Sequence, residues 1–234
     1  YVRGGGRILL RNSTLMNNNS GCGLAMSGVT LGMTNCLVAK NIGDGMSMAA
    51  STATVVNCTF ARNGGWGLSV GGGTGAVVNS IAWGNSGGGM TSNLNLNVRY
   101  SCSQNATYGA NNTNADPLFV NAPGYFYLSV AGLTNQPVSS PCMDTGTGDP
   151  SSYGLDTLTT RTDGTNDWLT VDMGYHYAGG IADALILPPA PTNCYVDAVN
   201  GTNTNDGLTW TTAWKSITCA LSNVAQYATI NLAT

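Results

Sequence analysis

Apolar and polar positions repeat every 22 residues from Gly21 to about Tyr108. Cut at that interval, the chain reads GCGLAMSGVTLGMTNCLVAKNI, GDGMSMAASTATVVNCTFARNG, GWGLSVGGGTGAVVNSIAWGNS and a degraded GGGMTSNLNLNVRYSCSQNATY. Leu24, Met46, Leu68 and Met90 occupy one apolar column, and Met26, Met48 and Val70 the column two residues on. Met33, Val55 and Val77 form a third. Asn35, Asn57 and Asn79 form a polar column followed at once by Cys36, Cys58 and Ser80, and Asn41, Asn63 and Asn85 close each unit. Self-similarity at a short fixed period marks a solenoid.

Within each unit the apolar residues lie at i, i+2 spacing, among Gly, Asn, Ser and Thr, and no window carries a helical i, i+3, i+4, i+7 stripe. That is the strand period interrupted by turn formers. A unit of this length predicts three short strands and three turns, one coil of a parallel β-helix, stacked roughly 4.8 Å above the last. Side chains of one column then lie over one another, and Asn35, Asn57 and Asn79 are expected to form an inward, hydrogen-bonded stacked ladder. The Gly-x-Gly opening of each unit fits a turn needing positive φ. Residues 1–20 read as one more coil with one residue inserted, which puts Asn12 in the Asn35 column. The fold class predicted is therefore all-β, with β-helix coils over residues 1–108.

Past Tyr108 the rhythm stops and Pro117, Pro123, Pro137, Pro141 and Pro150 punctuate the chain. Residues 109–177 are expected to be an irregular closing segment, with a long loop from Thr145 to Asp167, packed through Tyr125, Phe126, Tyr127 and Trp168. Residues 178–194, with Pro188, Pro189 and Pro191, read as an extended, semi-rigid linker. In 195–234 the pattern predicts a short helix near 212–224 and a strand at Ala228–Thr234 with Ile230 and Leu232 on one face.

Charge is scarce. Charged residues are 8% of the chain, eleven Asp without any Glu against six Arg and two Lys, for a net charge of −3 and a pI near 4.7. With no basic run, binding of nucleic acid through its phosphates is not expected. No stretch approaches 18 apolar residues, so no membrane span is expected. Tyr1 opens inside solenoid-like sequence rather than in a leader. Low charge with 32 Gly and abundant Asn, Ser and Thr suits an extracellular or cell-surface fibre, in which lateral association is wanted.

The segments VVNCTFARNGGWGL and VVNSIAWGNSGGGM resemble the coils of right-handed parallel β-helix proteins of the pectate-lyase-like superfamily. Asn114–Gly146 (NADPLFVN, GYFYLS, SSPCMDTG) with VDMGYHY at Val171–Tyr177 resembles the closing segment of bacterial surface β-helix domains. Tyr195–Leu221 (YVDAVNGTNTNDGLTWTTAWKSITCAL) resembles their opening segment. An opening segment that trails its coils implies a permuted order or one period of a longer array. Joining Thr234 to Tyr1 would give TINLATYVRGGGRILLRNSTL, which reads as consecutive coils.

The function expected is structural. Copies would assemble head to tail as filaments or a tandem array, with residues 195–234 donated to the first coil of the next copy. Tyr195, Val196, Trp210, Trp214, Ile230 and Leu232 would face Tyr1, Val2, Ile8 and Leu10. A surface adhesin that binds carbohydrate is the alternative, and a polysaccharide lyase, which the superfamily resemblance raises, the second. Lyase chemistry wants Asp-bound Ca²⁺ beside a basic residue, and the coils offer Asp44 alone, so no catalytic set is assigned. No resident cofactor is expected, and Ca²⁺ is a candidate at Asp163, Asp167 and Asp172, against ordinary Asx-turn chemistry. His176, the only histidine, reads as a packed residue of the closing segment. Cys36 and Cys58 are either stacked core thiols or a ladder disulfide, and Cys194 and Cys219 are a candidate staple.

Overall fold

The computed structural model describes residues 1–91, 95–105, 109–187, 193–224 and 228–233. The prolines of the expected linker, at 188, 189 and 191, lie outside them. The chain forms two compact units, residues 1–185 and 186–234.

The first unit begins as a stack of coils. The first holds β1 (Val2–Arg3) and β2 (Arg7–Met16), the second β3 (Leu24–Ser27) and β4 (Thr30–Ala39). The third has β5 (Met46–Ala49), β6 (Ser51–Val56) and β7 (Thr59–Ala61), and the fourth β8 (Trp66–Val70), β9 (Gly73–Val78) and β10 (Ile81–Trp83). The fifth has β11 (Gly88–Met90), β12 (Leu96–Arg99) and β13 (Cys102–Ser103). All neighbours pair in parallel. One face runs β1-β3-β5-β8-β11, and a bent sheet runs β12-β9-β6-β4-β7-β10-β13 with β2 on β4. The pleat alternates each strand's side chains, and every second one enters the coil. Leu24, Met46, Leu68 and Met90 are therefore in strand register and buried, as are Met33, Val55 and Val77.

Between the two halves of the bent sheet lies a corner. Asn12, Asn35, Asn57 and Asn79 take φ of 46°, 50°, 49° and 50° there. Asn tolerates this left-handed conformation better than other residues with a Cβ, which explains the Asn at that column in the first four coils; Tyr100, with φ of 48°, takes the place in the fifth. The period is elastic at both ends. Leu10 sits beside Met33, a step of 23 residues, and Val98 beside Val77, a step of 21. Strict 22-residue counting would have put Arg99 there, and a one-residue slip would turn the strand inside out, so the turn gives up a residue instead.

The fifth coil is covered along its last stretch, residues 100–103. Tyr100 N–H donates to Ala110 O at 3.1 Å, Ser103 N–H to Thr113 O at 3.0 Å, and Thr113 N–H to Ser101 O at 3.0 Å. No backbone bond among the described residues reaches the outer edge of the first coil. Among the described residues β1 pairs only with β3 and β2 only with β4.

Residues beyond 113 run as an irregular strap along the wall of the solenoid. Phe126 covers Leu37, Ala39 and Ala61, while Leu128, Cys142 and Met173 pack on Ile81 and Cys102. A Tyr127–Tyr177 stack, centroids 4.0 Å apart, binds the strap to itself. Trp168, expected to pack, is exposed.

In the second unit β14 (Asn193–Val196) pairs in parallel with β15 (Thr229–Leu232), and α1 (Ile217–Asn223) packs beside β14 with Cys194, Val196, Trp214 and Ala220 as its core. The helix is shorter than expected. Thr209–Thr212 forms a turn and Trp214 bridges to Val196, so the helix starts only where Ser216 Oγ accepts the Cys219 N–H at 3.2 Å. Among the described residues no helix is long and apolar enough to cross a membrane.

Candidate functional site

The Asn35, Asn57 and Asn79 side chains are buried, but they face the strap rather than the solenoid interior. Asn35 Nδ2 donates to Asn12 Oδ1 and to His176 O, both at 3.0 Å, and Asn35 Oδ1 accepts the His176 N–H at 2.7 Å. Asn57 Nδ2 donates to Asp172 O at 3.1 Å. Asn79 Nδ2 donates to Thr147 O at 3.1 Å, its Oδ1 accepts the Thr147 N–H at 2.8 Å, and its contact to Asn57 Oδ1 is stretched to 3.5 Å. The expected inward ladder is thus a row of clips. The continuous amide ladder is the next column. Asn41 Nδ2 donates to Asn63 Oδ1 at 2.9 Å, Asn63 Nδ2 to Asn85 Oδ1 at 2.8 Å, and Asn85 N–H to Gln104 Oε1 at 3.0 Å. Its members also donate to Leu15 O, Val38 O and Phe60 O across the coils.

Behind the clips lie three carboxylates. Oxygens of Asp144, Asp167 and Asp172 fall within 4.8 Å of one another, with Asp167 and Asp172 buried. Asp163, expected in this group, is elsewhere: Arg161 grips it with Nε–Oδ1 at 3.0 Å and Nη2–Oδ2 at 2.6 Å. Asp144 takes its place, delivered from a distant turn that spacing within the stretch 163–172 had no means to reveal. Asp172 accepts the Asp144 N–H at 2.7 Å and the Thr160 hydroxyl. Asp167 Oδ2 accepts the Asp172 N–H at 2.9 Å and lies 2.8 Å from His176 Nε2. His176 Nδ1 faces Gly174 O at 3.1 Å, which only accepts, so Nδ1 carries a proton. Burial, and next the charge of Asp167, push the Asp172 carboxyl up to about 6.

This set does not fit Ca²⁺ well. Both oxygens of Asp172 and one of Asp167 are engaged by donors, whereas the ion wants six to eight oxygens. What it does is hold the strap's backbone in the shape that the Asn clips grasp. His176 is packed, as expected, and joins two parts of the strap.

The residues expected at an assembly surface divide. Val196 and Trp214 are interior to the second unit, where Trp214 Nε1–H donates to Asn205 O at 2.6 Å, so they are core rather than interface. Ile230 is half-buried against them. Leu232 and Trp210 are exposed, and Tyr195 meets Trp210 edge-on at 4.8 Å. On the first coil Tyr1 is exposed, while Val2, Ile8 and Leu10 pack on the core from one side only. Leu9, which the sequence pattern did not single out, is 59% exposed. Cys194 and Cys219 share one cluster, but both are free thiols, as are Cys36 and Cys58.

A stack of parallel coils, with an Asn corner in the first four and apolar columns in register, agrees with a family model. The model for the right-handed β-helix region matches residues 1–117. The chain belongs to the right-handed β-helix family. No curated protein and no solved structure matches it. The β-helix serves enzymes and non-enzymes alike, so its function rests on what its surfaces and side chains can do.

Proposed function

We propose that this β-helix protein is an extracellular structural element whose copies join head to tail, the second unit of one docking on the first coil of the next. The observation that carries the proposal is the inequality of the two ends of the solenoid. Residues 110–113 close the fifth coil's edge at residues 100–103, whereas among the described residues no backbone bond meets the outer edge of β1 or β2, which lies beside half-buried Val2, Ile8 and Leu10. An open edge of this kind is a template for strand addition. The second unit offers the complement: among the described residues β15 pairs with β14 alone, its Leu232 is exposed, and the pairing is parallel, the sense that continues a stack.

Charge supports the same pairing. Arg3, Arg7 and Arg11 lie on the first coil, and no acidic residue precedes Asp44. The second unit's charged residues are Asp197, Asp206 and Lys215. A contact between unlike ends does not close on itself and propagates. The same contact made by an upstream repeat on one polypeptide would give a tandem array. Carbohydrate adhesion is the less supported reading, because Trp66 and Trp83 are half-buried and Trp83 packs into the core under the strap. Lyase action is less supported still, since two of the three clustered carboxylates are buried and Arg161 is held by Asp163.

Light scattering at rising protein concentration tests the proposal on the full chain and on one lacking 195–234. The full chain should grow in mass with concentration and the shortened chain should stay at one mass. Equal behaviour of the two would reject it.

A further inference from the structure

Seven cysteines enter the fold, and the sequence pattern offers Cys102 and Cys142 no partner. The structure brings these two together. Cys102 ends the last coil in β13, Cys142 lies on the strap, and both are fully buried in one cluster with Ile81, Leu128 and Met173. Their backbones are fixed independently. Cys102 N–H donates to Ser80 O at 2.8 Å, Cys142 N–H to Ser140 Oγ at 3.1 Å, and Cys142 O accepts the Met173 N–H at 2.9 Å. The Cys102 thiol donates to Ala115 O at 3.2 Å, and the neighbouring Cys142 thiol together with burial raises it well above its ordinary range.

We propose that Cys102 and Cys142 are an oxidation site, forming a disulfide that locks the strap to the end of the solenoid. Such a bond would span residues 102 to 142, a loop that contains the edge-covering residues 110–113, so it would hold the end cap and the strap together. Cys36 and Cys58 also share a buried cluster, but each thiol donates to a carbonyl of its own coil, Thr34 O and Val56 O, and the two coils are already joined by strand pairing, where a cross-link constrains little. The gain from a cross-link comes from restricting the unfolded chain between otherwise separate segments.

The oxidant is a disulfide, either a small-molecule dialkyl disulfide or a disulfide oxidoreductase, of the sort found in extracytoplasmic compartments. The Cys142 thiolate attacks one sulfur of it and expels a thiolate. The Cys102 thiolate then attacks the Cys142 sulfur of the mixed disulfide and expels the second. Two protein thiols are oxidised, the reagent is reduced to two thiols, and the two thiol protons end on the expelled thiolates. Because both sulfurs are buried once the strap is seated, exchange must precede its docking. The proposal stands apart from end-to-end assembly and does not need it.

The experiment is refolding of the full chain in a mixture of reduced and oxidised glutathione, then alkylation under denaturant and peptide mapping. Trypsin leaves both cysteines between Arg99 and Arg161, so chymotrypsin, which cuts at Phe119 and Tyr125–Tyr127, is the protease to use. A Cys102–Cys142 linked peptide pair, two hydrogens lighter than the separate thiols, is expected. Reductant should then lower the melting temperature by roughly 5–10 °C and leave that of the Cys102→Ala/Cys142→Ala double variant unmoved. Alkylation of both cysteines, linkage of either to a different cysteine, or an equal reductant effect in the double variant would overturn the proposal.

Discussion

The His176 amide donates to Asn35 Oδ1 at 2.7 Å while Asn35 Nδ2 donates back to the His176 carbonyl at 3.0 Å, a two-way clip across 141 residues of sequence. It is the farthest of three Asn contacts that pin the strap along the solenoid wall, and it joins the repetitive part of the chain to the part that does not repeat.

Asn35→Ala should therefore loosen the strap. It leaves a buried N–H and a buried C=O unpaired and places a Cβ residue without local amide support at positive φ. A loss of about 2–4 kcal/mol is expected, measured by urea unfolding, with proteolysis in residues 170–177 appearing before cleavage in the coils.

Asn63→Ala should cost more, at least about 3 kcal/mol, since Asn63 both donates to Asn85 and accepts from Asn41 at full burial. Its side chain also accepts the Asn41 N–H and donates to Val38 O. Hydrogen exchange should quicken at Asn41 and in the third and fourth coils together, because a ladder transmits its break to both neighbours.

Asp172 sets a pH dependence. Its carboxyl titrates near 6 in the folded protein and near 3.9 when unfolded, so between these values the folded state binds more protons. Its contribution to stability therefore falls as pH rises through that window, by on the order of 2–3 kcal/mol. Asp167, Asp144, His176 and Arg161 also face the site, so the quantity to measure is the difference between wild type and Asp172→Asn. The wild type should lose ground to the variant from about pH 4 to pH 7. A constant difference would remove Asp172 as the cause.

Leu9→Glu and Leu232→Glu test the docking surfaces. Both side chains are exposed in the single copy, so each variant should keep its stability within about 0.5 kcal/mol. Each should also raise the concentration needed for association at least tenfold, read by sedimentation velocity.

The coils were legible because stacking places one residue of each unit over its counterpart, so a structural column is also a column of the sequence. Asn12 could be assigned to its corner on that ground alone. Its direction could not, because an Asn at a corner points inward or outward according to what covers it, and the cover is a strap with no period. The same holds for the carboxylates. Asp163, Asp167 and Asp172 are close in sequence, but Arg161 withdraws the first, and Asp144 arrives from a turn after Cys142 that only tertiary packing specifies. Val196 and Trp214 looked like docking residues because they are large and apolar, which is equally the signature of a small unit's own core.

The most direct measurement of the central claim is cryo-electron microscopy of the purified chain near neutral pH, with and without residues 195–234. The account predicts filaments whose axial repeat is one copy, with β15 continuing the stack on the first coil of the next, and their loss on truncation. Single, unassociated particles from both proteins would contradict it.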